Sequence, residues 1–284
     1  MFANYLIGLR EGLEAALVVS ILIAYVVRVE RRHLLPRIWS GVGLAVAVSL
    51  AFGALLTFGS RGLGFEAREF IGGALSIVAV AFVTWMIFWM ATAGRGLSAD
   101  LRRRVDGAAE GGRWALALVA MLAVGREGLE TALLLWAATQ AGTSGTGATW
   151  APLIGAGLGL LSAITLGWLI YRGALRINLT TFFTWTGAFL ILIAAGVLGY
   201  GVHDLQEAGV FPGVDSVLFD VSNTIAADSW YGVLLKGVFN FSPRTTVLQA
   251  LAWTAYVVPT MYLFLRMIGR KQAAAPSRTE VTAA

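Results

Sequence analysis

Cysteine is absent from the 284-residue sequence, and histidine occurs only twice. The first absence excludes disulfides, iron–sulfur clusters and thiolate metal sites. Charge is also scarce: charged residues make up 13%, against roughly a quarter in an ordinary soluble domain. Hydrophobic residues make up 58%, and the mean hydropathy is +0.76. A soluble globular domain, a disordered chain and a nucleic-acid-binding domain are therefore excluded. The formal net charge of +5 does not point to a polyanionic partner. The basic residues sit in short stretches between apolar runs, which is the pattern of membrane topology signals. No Walker-type glycine-rich loop offers a nucleotide site, and no nucleophile–base constellation stands out.

What the chain has in abundance is apolar runs. A transmembrane helix needs about 20 mostly apolar residues, and seven segments qualify, at about 4–27, 38–58, 70–93, 114–139, 151–171, 181–201 and 246–268. The expected fold class is an all-α integral membrane protein with seven transmembrane helices in one domain, 1–271. The first segment reads as a span and not as a removed leader, because it lacks a basic start and Arg10, Glu11 and Glu14 interrupt its core. One set of connections holds Arg28, Arg31, Arg32 and Arg37, then Arg95, Arg102, Arg103, Arg104 and Arg113, then Arg172 and Arg176. The C-terminal end adds Arg266, Arg270, Lys271 and Arg278. The opposite side has only Arg61, Arg68, Lys236 and Arg244. The positive-inside rule then puts the N-terminus outside and the C-terminus in the cytoplasm. The one long outer loop runs over about 202–245 and is acidic, and within it Trp230, Tyr231, Leu234, Leu235 and Val238 share a helical face suited to the headgroup zone. Residues 272–284 are Ala-rich and polar, which predicts a disordered tail.

The string Arg-Glu-Gly-Leu-Glu stands at Arg10–Glu14 and again at Arg126–Glu130, 116 positions apart. The same offset carries Gly41 to Gly157, Gly43 to Gly159, Leu44 to Leu160, Ala47 to Ala163 and Leu50 to Leu166. Two copies of a three-span unit are expected, repeat A over about 1–93 and repeat B over about 114–201, with helix 7 (about 246–268) extra. An odd number of spans per copy makes the repeats inverted. Stripes of small residues predict close helix packing: Gly8, Gly12, Ala16, Ser20 and Ala24 in span 1, Gly43, Ala47 and Ala51 in span 2, and Gly155, Gly159, Ala163 and Gly167 in span 5.

Each motif puts three charges into a span, where one charge at the bilayer centre costs about 2.5–3.5 kcal/mol. Glu11 and Glu14 share a helix face, as do Glu127 and Glu130, and Arg10 and Arg126 reach Glu14 and Glu130 one turn on. Four glutamates against two arginines leave a deficit of two positive charges, which a cation entering between the helices would fill. Carboxylate oxygens suit hard or multiply charged cations. Glu69, His203, Asp204 and Glu207 are expected near the outer surface, where they could collect cations at an entrance. His33 and Glu66 are expected to be solvated.

The paired motifs in spans 1 and 4, the seven spans, and the segment His203-Asp204-Leu205-Gln206-Glu207-Ala208-Gly209 resemble the oxidase-dependent iron transporters, which include fungal high-affinity iron permeases and bacterial EfeU-type permeases. The resemblance covers essentially all seven spans. It implies high-affinity iron uptake across the plasma membrane, the inner membrane in bacteria. It also implies that Glu11, Glu14, Glu127 and Glu130 are iron ligands partnered by Arg10 and Arg126. Iron is then the transported substrate, with no permanently bound cofactor. Members of that family work beside a ferroxidase, or beside a periplasmic iron-binding protein and a haem peroxidase. The residues alone also admit another multivalent metal such as lead or manganese, or basic amino acids. A membrane metalloenzyme fits less well, since a di-iron carboxylate centre uses Glu-x-x-His pairs and both motifs here end in Glu. Reporter fusions are expected to place the N-terminus outside and the C-terminus inside; both ends on one side would refute the odd span count.

Overall fold

The computed structural model describes residues 1–59, 64–93, 103, 107, 114–143, 150–172, 178–221 and 243–273. Within them each apolar run forms one long helix: α1 (Phe2–Arg28), α2 (Leu35–Phe58), α3 (Phe65–Ala93), α4 (Ala115–Thr143), α5 (Ala151–Tyr171), α6 (Leu179–Glu207) and α7 (Val247–Ala273). Local chemistry sets their ends. Prolines in the first turn start α2 and α5, where the missing N–H removes no helical bond. The Asn178 side chain caps α6 by accepting from the Thr181 N–H at 3.2 Å. Helix α6 stops at Gly209, whose φ of +74° places it in the left-handed region, while the Val210 N–H returns to the Leu205 carbonyl at 2.9 Å. Thr246 and Gln249 form a capping box at the start of α7: the Thr246 N–H donates to Gln249 Oε1 at 2.7 Å, and the Gln249 N–H to Thr246 Oγ1 at 3.3 Å.

Among the described residues, five helices, α2, α3, α5, α6 and α7, are long and apolar enough to cross a membrane. Helices α1 and α4 match them in length, at 27 and 29 residues, and fall short in apolarity only where the two motifs interrupt them. Many large apolar side chains point away from the bundle, among them Leu50, Leu55, Leu161 and Val258, each at least 61% exposed. Lipid is the solvent such a surface suits, since soluble monomers rarely expose apolar patches of that extent.

Packing pairs the helices reciprocally. Helix α1 lies along α5, with Gly8 against Ala156 and Leu160, Gly12 against Ala163, and Ala16 against Gly167. Helix α4 lies along α2 in the same way, with Gly41 against Ala117 and Ala120, Gly125 against Ala45, and Gly128 against Ser49. Within each pair the residue numbers rise together, so the partners are parallel. The contact of α3 with α6 is antiparallel, Gly72 meeting Asp204 and Gly73 meeting Gly201. Helices α1 and α4 also cross antiparallel, pinned near one end by an Asn4–Thr139 hydrogen bond of 2.9 Å. Helix α7 covers α6, where Phe264 fills the space beside Gly187.

Four expectations need correction. Helix α3 begins at Phe65, not near 70, so Glu66 and Glu69 lie on the helix and Glu69 is buried. Helix α6 continues past 201 to Glu207, carrying His203, Asp204 and Glu207 on its last turns and not on a loop. Among the described residues of the outer segment, β1 (Val217–Asp220) forms a small antiparallel pair with β2 (Arg244–Thr246). In α2 the packing stripe is Gly41, Ala45 and Ser49, while Gly43, Ala47 and Ala51 face outward. The stripe on α5 falls where expected, and that on α1 packs as expected at Gly8, Gly12 and Ala16, while Ala24 is exposed. The face expected at Trp230–Val238 and the tail beyond Ala273 lie outside the described residues.

A Cβ on Gly8 would lie 2.7 Å from the Ala156 carbonyl oxygen, whereas one on Gly43 would meet nothing within 4 Å. Gly8→Leu is therefore expected to destabilise the bundle by about 1–3 kcal/mol, the range for overpacking. Gly43→Leu should leave the detergent melting temperature unchanged. Equal melting temperatures for the two variants would contradict this packing.

Candidate metal site

The motifs fall near the middle of their helices. Glu11 and Glu14 stand about 14–18 Å from the start of α1 at 1.5 Å per residue, half the depth of a hydrocarbon core of about 30 Å. Glycine at the centre of each motif admits a neighbouring helix: Gly12 receives Leu160 and Ala163, and Gly128 receives Ser49. The four glutamates are all buried, Glu11 and Glu130 at 0% and 1% exposure. The antiparallel crossing of α1 and α4 brings ligand oxygens of Glu11, Glu14 and Glu127 within 4.8 Å of one another. Glu130 stands outside that trio, close enough for its charge to act on Glu11 and Glu14.

The two arginines solve the same problem differently. Arg10 is 2% exposed. Its Nη1 donates to Glu11 Oε1 at 2.5 Å and contacts Met86 Sδ at 3.4 Å. Its Nη2 lies 3.2 Å from Glu14 Oε1, an ion pair without hydrogen-bond geometry, and contacts Met90 Sδ at 3.1 Å. Arg126 is half-buried. Its Nε donates to Glu130 Oε1 at 2.8 Å, and its guanidinium lies over the rings of Trp89 and Trp85, at 4.2 and 5.6 Å from their centroids. The expected Arg10–Glu14 and Arg126–Glu130 pairs are therefore both present. The sequence reading missed the closer Arg10–Glu11 contact and the α3 side chains that hold the arginines. Only the spacing Trp85, Met86, Trp89, Met90, four residues apart in each kind, hinted at them.

These arginines do not satisfy the cluster. Glu11 Oε2, Glu14 Oε1, Glu127 Oε2 and Glu130 Oε2 are buried and accept no hydrogen bond, one oxygen from each motif glutamate. A buried acceptor without a partner costs about 1–3 kcal/mol, more when charged. Carboxylate oxygens are the ligand type that hard multivalent cations take, and three of these four glutamates, Glu11, Glu14 and Glu127, are the ones that converge.

The candidate entrance residues gather at the far end of α3 and α6. Asp204 is 3% exposed and hydrogen-bonded to Glu69 and Tyr200. His203 Nε2 and Glu207 pair at 3.3 Å across one turn, both partly exposed. Apolar packing separates this level from the motif carboxylates: Ala79, Val80 and Val83 of α3, and Leu190, Ile193 and Val197 of α6, around a cavity of about 10 Å³. A space of that size holds one water at most, and its walls offer none of the polar partners that a water needs.

Apolar helices with a wide exposed apolar surface, enclosing a buried carboxylate cluster, define an all-α membrane protein. More particularly, the chain belongs to the Iron permease FTR1 family, which it matches over residues 1–272. It is similar to the Ferrous iron permease EfeU of Escherichia coli, at 36% identity over 268 residues, covering 93% of this chain and 95% of that protein. The Ferrous iron permease EfeU of Yersinia pestis is 35% identical over 267 residues, covering 93% of each. No solved structure matches. The family and these relatives are permeases and not enzymes.

The different settings of the arginines predict different responses. Arg10→Met leaves Glu11 and Glu14 buried without their counter-charge and should cost about 3–5 kcal/mol. Arg126→Met removes a half-buried cation from one buried carboxylate, Glu130, together with a ring contact, and should cost about 1–3 kcal/mol. Thermal melting in detergent measures both, and the reverse order would refute the assignment.

Proposed function

We propose that the chain is an iron uptake permease of the plasma membrane, moving iron through a carboxylate site formed by Glu11, Glu14, Glu127 and Glu130. The observation that carries this reading is the set of four buried carboxylate oxygens without partners, three of the glutamates converging within 4.8 Å. Family membership supports iron as the cargo. The names of the EfeU relatives favour the ferrous ion.

The architecture proposed for this task is seven spans, built as two inverted three-helix units plus α7, with the N-terminus outside. Reciprocal packing supports it. The offset of 116 turns the parallel pair α1 with α5 into the parallel pair α4 with α2. It turns each of the crossings α1–α4 and α3–α6 into itself, and both are antiparallel. A two-fold axis in the membrane plane produces that pattern, and substrate sites of such transporters lie near the midplane between the repeats.

Iron enters at the level of Glu69, His203, Asp204 and Glu207, crosses the apolar layer when the two units rock, and exchanges with the arginines for the motif oxygens. An inward-negative potential contributes about 2.3 kcal/mol per charge per 100 mV, so a divalent ion is drawn inward without nucleotide hydrolysis. A periplasmic iron-binding protein with a haem peroxidase, or a ferroxidase, would present the ion from outside.

Glu14→Gln and Glu127→Gln keep the shape of the site and remove its charge. Each is expected to lower iron uptake into proteoliposomes by about tenfold or more, the loss of one good charged ligand. Elution and melting behaviour should stay those of the unaltered protein. Normal uptake by either variant would sink the proposal.

A further inference from the structure

The Arg10 guanidinium is bounded by two kinds of acceptor. Nη1 sits between Glu11 Oε1 and Met86 Sδ, and Nη2 sits between Glu14 Oε1 and Met90 Sδ. One planar cation thus occupies a pocket of two carboxylate oxygens from α1 and two thioether sulfurs from α3. Met86 and Met90 are four residues apart, so both sulfurs come from one face of α3. Met86 is fully buried and Met90 half-buried. Sulfur is a weak acceptor for a guanidinium, and leucine would fill the same space without it. Arg10 Nε is buried with no partner at all, so the group is not locked by a full set of bonds.

We infer that Met86 and Met90 are specificity-determining residues of the permease, an inference that rests on the carboxylate-site reading above. Arg10 holds the place of the transported cation. When it moves aside, Glu11, Glu14 and the two sulfurs face the incoming ion together. The carboxylates supply charge and the thioethers supply choice. Thioether sulfur is a soft donor that a borderline divalent transition ion accepts. The hard ions Mg²⁺, Ca²⁺, Mn²⁺ and ferric iron favour all-oxygen sites. The mixed set therefore selects ferrous iron over ions of equal or higher charge that carboxylates alone would hold as well.

The test reconstitutes the full chain into liposomes and follows radioactive ferrous iron under reducing conditions, with Cd²⁺ or Mn²⁺ as competitor. In the unaltered protein Cd²⁺ should compete about tenfold more strongly than Mn²⁺, the preference of a site that includes sulfur. Met86→Leu/Met90→Leu should slow ferrous uptake several-fold and bring the two competitors to within about twofold of each other. If the double variant does not fold, Met90→Leu alone, at the half-buried position, should shift the ratio in the same direction. An unchanged Cd²⁺-to-Mn²⁺ ratio overturns the inference even if uptake slows, because a purely packing role would alter rate without altering choice. Glu14→Gln run in parallel separates the two levels. Lost uptake there with an unchanged ratio in the methionine variants leaves the carboxylate site standing and removes the sulfurs, whereas retained uptake in Glu14→Gln overturns both.

Discussion

Six ionisable side chains placed mid-helix in an apolar bundle are the constraint to which the other features answer. No single helix can satisfy them. Arg10 and Arg126 each reach the glutamates of their own motif, yet one oxygen of every glutamate remains without a donor. The charges can be tolerated only by being brought together, and only helices α1 and α4 crossing at the depth of the motifs can do this. The carboxylates are therefore both the chief cost of the fold and the reason for its geometry.

Close approach is what makes the crossing feasible. Gly8, Gly12 and Gly159 let α1 and α5 touch along their length, and Gly41 and Gly128 do the same for α2 and α4. Each motif helix is thereby backed by a rigid parallel partner, and the pairs α1–α5 and α4–α2 present their charged faces to each other. Helix α3 closes the remaining side with sulfur and indole, lodging Arg10 on methionines and Arg126 on tryptophans. The halves share a sequence motif but differ in environment, one arginine sealed and the other half-open.

Much of this was legible in the sequence, because the bilayer makes its demands in simple terms. Span length, the duplicated Arg-Glu-Gly-Leu-Glu string and the glycine stripes of α1 and α5 all follow from hydrocarbon thickness, helix period and backbone approach. Helix ends were less legible. Polarity suggests shorter limits for α3 and α6, whereas Glu69 and Asp204 are buried against each other, and Gly209 marks the stop of α6. The packing face of α2 is ambiguous in the sequence because Gly43 and Gly41 both look like packing residues. They differ by about 200° around the helix at 3.6 residues per turn, and composition cannot choose between them. The α3 contacts to the arginines were invisible because methionine and tryptophan are ordinary residues for a span.

The dry layer around Val80, Val83, Leu190 and Val197 has an electrical consequence. Voltage drops where polarisable medium is thinnest on the ground, and here that is a few helical turns of hydrocarbon side chains between two acidic strata. The layer works like the dielectric of a capacitor whose plates are Glu69 with Asp204 on one face and the motif carboxylates on the other. In a membrane potential much of the field would fall across the short stretch between them, which on the proposed route is the stretch that the ion crosses.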